Sequence, residues 1–237
     1  MNIRKRLDEV NARLKAAALS AGRDPADVSL IAVSKTHPPD VLLKAIDAGV
    51  ADLGESRVQE AEGKIHEIGH ERVRWHLIGH LQANKARRTV QLFDFIHSLD
   101  SRSLAQRLGR LCREEGRDEL PVLIQVDLAN ESTKSGISEA ELPMLADTIN
   151  ASGRLKLLGL MTVPPFFEDT ELVRPFFKRL RQLRDTLRSQ GAFGEQTGAL
   201  SMGMSHDFEV AIQEGATIVR VGTAIFGERG AQKASEF

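Results

Sequence analysis

The chain has 237 residues, 41% hydrophobic and 27% charged, the balance of a soluble globular protein large enough for a sizeable core. Lys plus Arg (32) against Asp plus Glu (33) leaves a net charge of −1, which gives no overall field toward nucleic acid or an anionic membrane. The single cysteine, Cys112, excludes an internal disulfide, and no apolar run approaches the ~20 residues of a membrane span.

Residues 2–21 carry charges throughout, unlike a signal or transit peptide, and the expected location is the cytoplasm. Leu7, Val10 and Leu14 follow the three-to-four spacing of one apolar helix face. The run 29–34 (SLIAVS) predicts a short buried strand. Pro38 and Pro39 then open a helix, DVLLKAIDAG, that closes on a glycine cap. Further short apolar runs occupy 50–54, 75–79, 93–99, 121–128, 156–163, 198–203 and 217–227, with the helical patterns SRSLAQRLGRLCREEG and ELVRPFFKRLRQLRDTLRSQG among the segments between them. Strand and helix alternating through the whole chain predict an α/β protein, a single (β/α)8 TIM barrel with an extra N-terminal helix, forming one domain over 1–237. An open doubly wound sheet is the competing arrangement, but so many parallel strands in so short a chain fit closure better. Cys112 falls within a helical pattern and is assigned a structural role.

Barrels carry their chemistry at the C-terminal ends of the strands. The first strand ends in Ser34-Lys35, and a buried lysine loses solvation and becomes a neutral nucleophile. The seventh ends in SMGMSHD, with Ser201 and Ser205, and the eighth in RVGTAIFG, with Gly222 and Thr223. Small residues and hydroxyls at that corner suit a phosphate, although tight turns at a barrel rim read the same way. An amine facing a phosphate site predicts a phosphorylated aldehyde held as a Schiff base on Lys35. Pyridoxal 5′-phosphate (PLP) is the cofactor that fits, and Arg220, two residues before Gly222 on the same strand face, is placed to meet its ring nitrogen. A rim salt bridge is the plainer role for an isolated strand-end lysine.

The stretches AVSKTHP, GESRVQE, WHLIGHLQANK, HSLDS, STKSGI, GLMTVPP and LSMGMSHDFEVAIQEGATIVRVGTAIFG run in order from residue 32 to 227. Together they resemble the pyridoxal phosphate homeostasis proteins (the YggS or PROSC type), whose barrel is similar to the N-terminal domain of alanine racemase. The resemblance implies that Lys35 carries the cofactor. It places the phosphate near Ser201, Gly222 and Thr223 with the backbone of Met202, Met204 and Ser205 close by, and sets Arg220 against the pyridine nitrogen. It also implies that Asn84 lies near the ring and that Lys134 in STKSG handles the cofactor, a solvated loop charge being the other reading of Lys134. Ser56 and Arg57 stand where the family shows asparagine and tyrosine, so any contact made by that tyrosine is absent.

The chain contains no tyrosine. A racemase of the alanine type needs a second base opposite its lysine, supplied by a tyrosine from another domain. His37, His76, His80 and His206 are the available substitutes, read here as a structural or solvated histidine rim. The spacing of His76 and His80 does not make a helical metal pair, and no metal is expected. These residues predict a carrier of PLP rather than a strong catalyst, with apo PLP-dependent enzymes as partners at the level of the family. A fold-type III racemase or decarboxylase is the alternative, and a cofactor-free Schiff-base aldolase the second.

Overall fold

A computed structural model describes residues 2–129 and 135–227. Its strands are β1 (Ser29–Val33), β2 (Asp52–Glu55), β3 (Arg74–Leu77), β4 (Phe95–Leu99), β5 (Leu120–Gln125), β6 (Leu155–Met161), β7 (Ala199–Ser201) and β8 (Ile218–Val221). All pair in parallel in sequence order, and β1 closes the ring by pairing with β8. This is the expected (β/α)8 barrel. Helix α1 (Ile3–Ser20) starts at Asn2, whose side chain accepts the Lys5 amide at 3.0 Å. It buries Leu7, Val10 and Leu14, as the spacing predicts, and Arg13 lies 4.7 Å above the Phe208 ring.

The connecting helices are α2 (Pro39–Asp47), α3 (Val58–Ile68), α4 (Ala86–Leu92), α5 (Arg102–Glu114), α6 (Leu142–Asn150), α7 (Arg174–Ser189) and α8 (Phe208–Gln213). Cys112 is buried on α5 in the core between sheet and helices, and burial pushes its thiol up. One expectation needs correction. The run 217–227 is not a single strand: β8 stops at Val221, and Thr223–Phe226 wind into a short helix, α9. Gly222 breaks the strand there, and the Phe226 amide returns to the Gly222 carbonyl at 2.9 Å.

Alternation along each strand divides the core in two. Ala32, Leu53, Leu77, Ile96, Leu200, Val219 and Val221 face outward into the large cluster beneath the helices. Ile31, Leu123, Met161 and Ile218 form a small separate cluster inside the barrel. Above and beside it the interior turns polar. His76 Nε2 lies 2.8 Å from Asp52 Oδ1, His76 Nδ1 lies 3.0 Å from His97 Nε2, and His97 Nδ1 lies 2.9 Å from Ser201 Oγ. With both imidazoles neutral, the Asp52 carboxylate fixes every donor: His76 donates to Asp52, His97 to His76, and Ser201 to His97. Burial drives His97 well below the ordinary histidine range, and the nearby His76 and Arg220 push the same way.

Two measurements test this packing. Gly159 has φ +155°, and a Cβ there would lie 2.0 Å from the Ala199 carbonyl oxygen on the neighbouring strand, whereas Gly63 on α3 faces open space. Gly159→Ala is expected to lose about 3 kcal/mol or more in urea unfolding, and Gly63→Ala to gain up to about 1 kcal/mol. The second concerns pH. His97 is neutral when folded and titrates near 6.5 when unfolded, so the unfolded chain takes up an extra proton on acidification. Stability should fall by about 1.4 kcal/mol per pH unit below pH ~6.5 from this group alone, and His97→Gln should remove that share of the slope.

Candidate functional site

The parity that points Ile31 into the barrel carries Val33 to the same side and sends Ala32 outward, and Ser34 just past the strand end also turns outward, to Glu55. Lys35 is half-buried at the strand end, in a turn closed by the His37 amide on the Ser34 carbonyl at 3.1 Å. Register sets Ile31 beside Arg220 and Ala32 beside Val221, so Arg220 lies on the inner face of the strand next to the one whose end carries Lys35.

Arg220 is buried inside the barrel. Its Nη1 donates to the Ser201 carbonyl and to Ser201 Oγ, both at 2.7 Å, and its Nη2 donates to the Thr162 carbonyl at 2.8 Å. Burial lowers its pKa to about 10, with Asp207 opposing that shift, so it stays charged at neutral pH. Ser201 therefore spends its hydroxyl on two neighbours, accepting from Arg220 and donating to His97. That is a supporting position behind the mouth rather than a free hydroxyl at it.

The other corner residues gather around Ser205. Its Oγ accepts the Gly222 amide at 3.1 Å and the Ala224 amide at 3.4 Å. Gly203 has φ +90°, and a Cβ there would lie 2.6 Å from Ala211 Cβ, which is why this turn takes glycine. Met204 and Ser205 are half-buried, and Thr223 is exposed beside them at the mouth. The Met204 amide is held by Asp207 Oδ1 at 2.6 Å. Asn84 stands exposed on a 3₁₀ turn (Ala83–Lys85) after β3. Lys134 lies outside the described residues.

The histidines do not form one rim. His76 is buried in β3 and reaches Asp52 at the start of β2, beside a cavity of ≈ 350 Å³ lined by strand-start residues including Ser29 and Ile218. It belongs to the barrel base and cannot act as a base at the mouth. His80 is exposed and pairs with Asp100 at 3.1 Å. His206 is exposed, meets the Phe166 ring in a tilted contact with centroids 5.2 Å apart, and lies 3.1 Å from the Glu168 carbonyl. His37 stacks on Phe226 with ring centroids 4.8 Å apart. Among the described residues, no group of His, Cys, Asp and Glu is arranged to hold a metal ion.

Sequence reading missed two groups. His97 hides in a strand whose alternation, Phe95 and His97 inward against Ile96 outward, marks it as interior. The other is Glu55, Glu60 and Lys64, which meet Ser34 behind the strand end. Lys64 interrupts the buried stripe Ala61–Ile65–Ile68 on α3, and that irregularity was the available signal.

Comparison with known proteins agrees with this architecture. Residues 6–230 match the model of the family described as alanine racemase, N-terminal domain. A pyridoxal phosphate homeostasis protein of Aquifex aeolicus is 42% identical over 229 residues, covering 97% of this chain and 99% of that one. One of Pseudomonas aeruginosa is 43% identical over 227 residues, covering 96% of each. The solved structure of PipY from Synechococcus elongatus with PLP bound superposes with a TM-score of 0.79 at 38% identity, covering 95% of this chain and 100% of that chain. With this identity along almost its entire length and the same barrel, the chain belongs to the pyridoxal phosphate homeostasis proteins of the alanine racemase N-terminal-domain family.

Proposed function

We propose that this protein binds PLP through Lys35 and acts in PLP homeostasis as a reversible holder of the cofactor, with no strong catalysis of its own. The observation that supports the reading is the buried Arg220 guanidinium on the inner face of β8, next to the strand β1 whose C-terminal end carries Lys35, with hydroxyl and amide groups at the strand β7–β8 corner. The donor set fits the cofactor. Ser205, Thr223 and the amides of Gly222 and Ala224 suit its phosphate, Arg220 suits its ring nitrogen, and Asn84 is available at the mouth. PipY, 38% identical, is known with PLP bound.

When bound, PLP supplies an aldehyde that condenses with a lysine amine with loss of water. The protein's residues then set how far its chemistry goes. Arg220 keeps its proton at neutral pH and is oriented by the Ser201 and Thr162 carbonyls, so it donates a hydrogen bond without protonating the ring. An unprotonated ring is a weak electron sink. The chain also lacks tyrosine, and His76 and His97 are committed inside the barrel. Reversible condensation limits the free aldehyde and permits delivery to apo PLP-dependent enzymes.

Purified protein incubated with PLP should show a near-visible absorption band that borohydride converts to a stable adduct on Lys35. Lys35→Ala should lose both. A band and adduct that persist in the variant would place the cofactor elsewhere. In deuterated water with PLP and a supplied amino acid, α-hydrogen exchange should stay well under the ~1 s⁻¹ at the low end of typical enzyme turnover. Exchange within the ordinary enzymatic range would favour a racemase or decarboxylase.

A further inference from the structure

Ser34 and Glu55 point away from the barrel interior, toward α3, and there they meet a buried lysine. Lys64 Nζ donates to Glu55 Oε1 at 2.7 Å, to Glu60 Oε1 at 2.6 Å and to the Ser34 carbonyl at 2.9 Å. Ser34 Oγ donates to Glu55 Oε1 at 2.6 Å. Glu60 Oε1 also accepts the Thr36 amide at 2.5 Å. Lys64 and Glu55 are almost fully buried, and Glu60 is partly so.

A buried ion pair of this kind contributes little net stability, because desolvation of both charges offsets their attraction. Apolar side chains would fill the same layer between sheet and helix, as Ala61 and Ile65 do beside it. The cost is already visible in Glu55: burial pushes its carboxyl up despite Lys64, and its Oε2 has no hydrogen-bond partner. What distinguishes the cluster is where its bonds go. They take the carbonyl immediately before Lys35 and the amide immediately after it.

The turn between them needs holding. Thr36 has φ +69°, the only non-glycine residue among those described in the left-handed region. A β-branched side chain is strained there, so the turn opens unless its surroundings fix it. We propose that Lys64, acting with Glu60 and Glu55, is a positioning residue that clamps the Ser34–Lys35–Thr36 turn and so holds the Lys35 amine aimed into the barrel mouth. This inference rests on the reading of Lys35 as the cofactor lysine. The Lys64 side chain touches the backbone on one side of Lys35 directly and the other through Glu60, and it leaves the mouth itself free.

The test measures PLP capture as the rate of borohydride-trapped adduct formation on Lys35 and the pH midpoint of the near-visible band, in folded protein verified by circular dichroism. Lys64→Met should slow capture by about ten- to a hundred-fold, the penalty of a misaimed reacting group, and move the midpoint. Adding Thr36→Gly should restore most of the rate, because glycine adopts the positive φ without help. A purely structural lysine would lower thermal stability and leave capture per folded molecule, and its rescue, unaffected. Should Lys64→Met fail to fold, Glu60→Ala removes the Thr36 acceptor from a partly exposed helix site and should slow capture in the same direction. Wild-type capture rates in the folded variants, or no rescue by Thr36→Gly, overturn the clamp. Absence of a Lys35 adduct in the wild-type protein overturns instead the assignment of Lys35, and the clamp with it.

Discussion

A charged guanidinium inside the barrel is the constraint on which the site depends. Arg220 cannot shed its proton at neutral pH, so it must find acceptors wherever β8 places it. It finds them in the Ser201 and Thr162 carbonyls and the Ser201 hydroxyl. Those bonds fix the end of β7 and the residue after β6. They also leave Ser201 with one proton to give, and His97 receives it. From there the polar chain descends through His76 to Asp52 and the exposed Arg74, so one buried charge orders side chains from the mouth to the base of the barrel.

A barrel interior is ordinarily filled by branched aliphatic residues. Here the aliphatic part is a small cluster around Ile31, Leu123, Met161 and Ile218, and hydrogen bonds hold the remainder. Such an interior resists rearrangement, since opening any link strands a dry donor or acceptor. Rigidity suits the proposed role of holding one aldehyde in one orientation. The same groups bear on the weak catalysis proposed above. In the proposed function Arg220 would face the ring and withhold the proton that an electron sink needs, and the interior histidines are engaged with one another and with Ser201.

Much of this was legible in the sequence. Eight apolar runs at regular intervals gave the strands to within about three residues of their observed bounds, apart from the last, where Gly222 ends β8 and α9 begins. Lys35, Arg220 and the glycine- and serine-rich corner were readable because strand alternation and the barrel rule act on local sequence. The long-range partners were not. Nothing adjacent to Ser201 announces that its hydroxyl faces His97, a hundred residues earlier in the chain, and His76 looked like a rim residue although its ring reaches back along β2, past its register partner Gly54, to Asp52. Glu60 and Lys64 stand four residues apart, the spacing of any surface helix pair, and only burial shows that Lys64 falls on the inner face of α3. Burial and register decide these roles, and both depend on ring closure.

The proposed function stands on one cofactor being gripped between Lys35 and Arg220. A crystal structure of the protein grown with PLP tests it most directly. Continuous density is expected from Lys35 Nζ to the cofactor, with its phosphate at the Ser205–Gly222–Ala224 corner and Arg220 still bonded to Ser201 and Thr162 while facing the ring nitrogen. Density joined to another lysine, or a cofactor bound without a covalent link and away from Arg220, would contradict it.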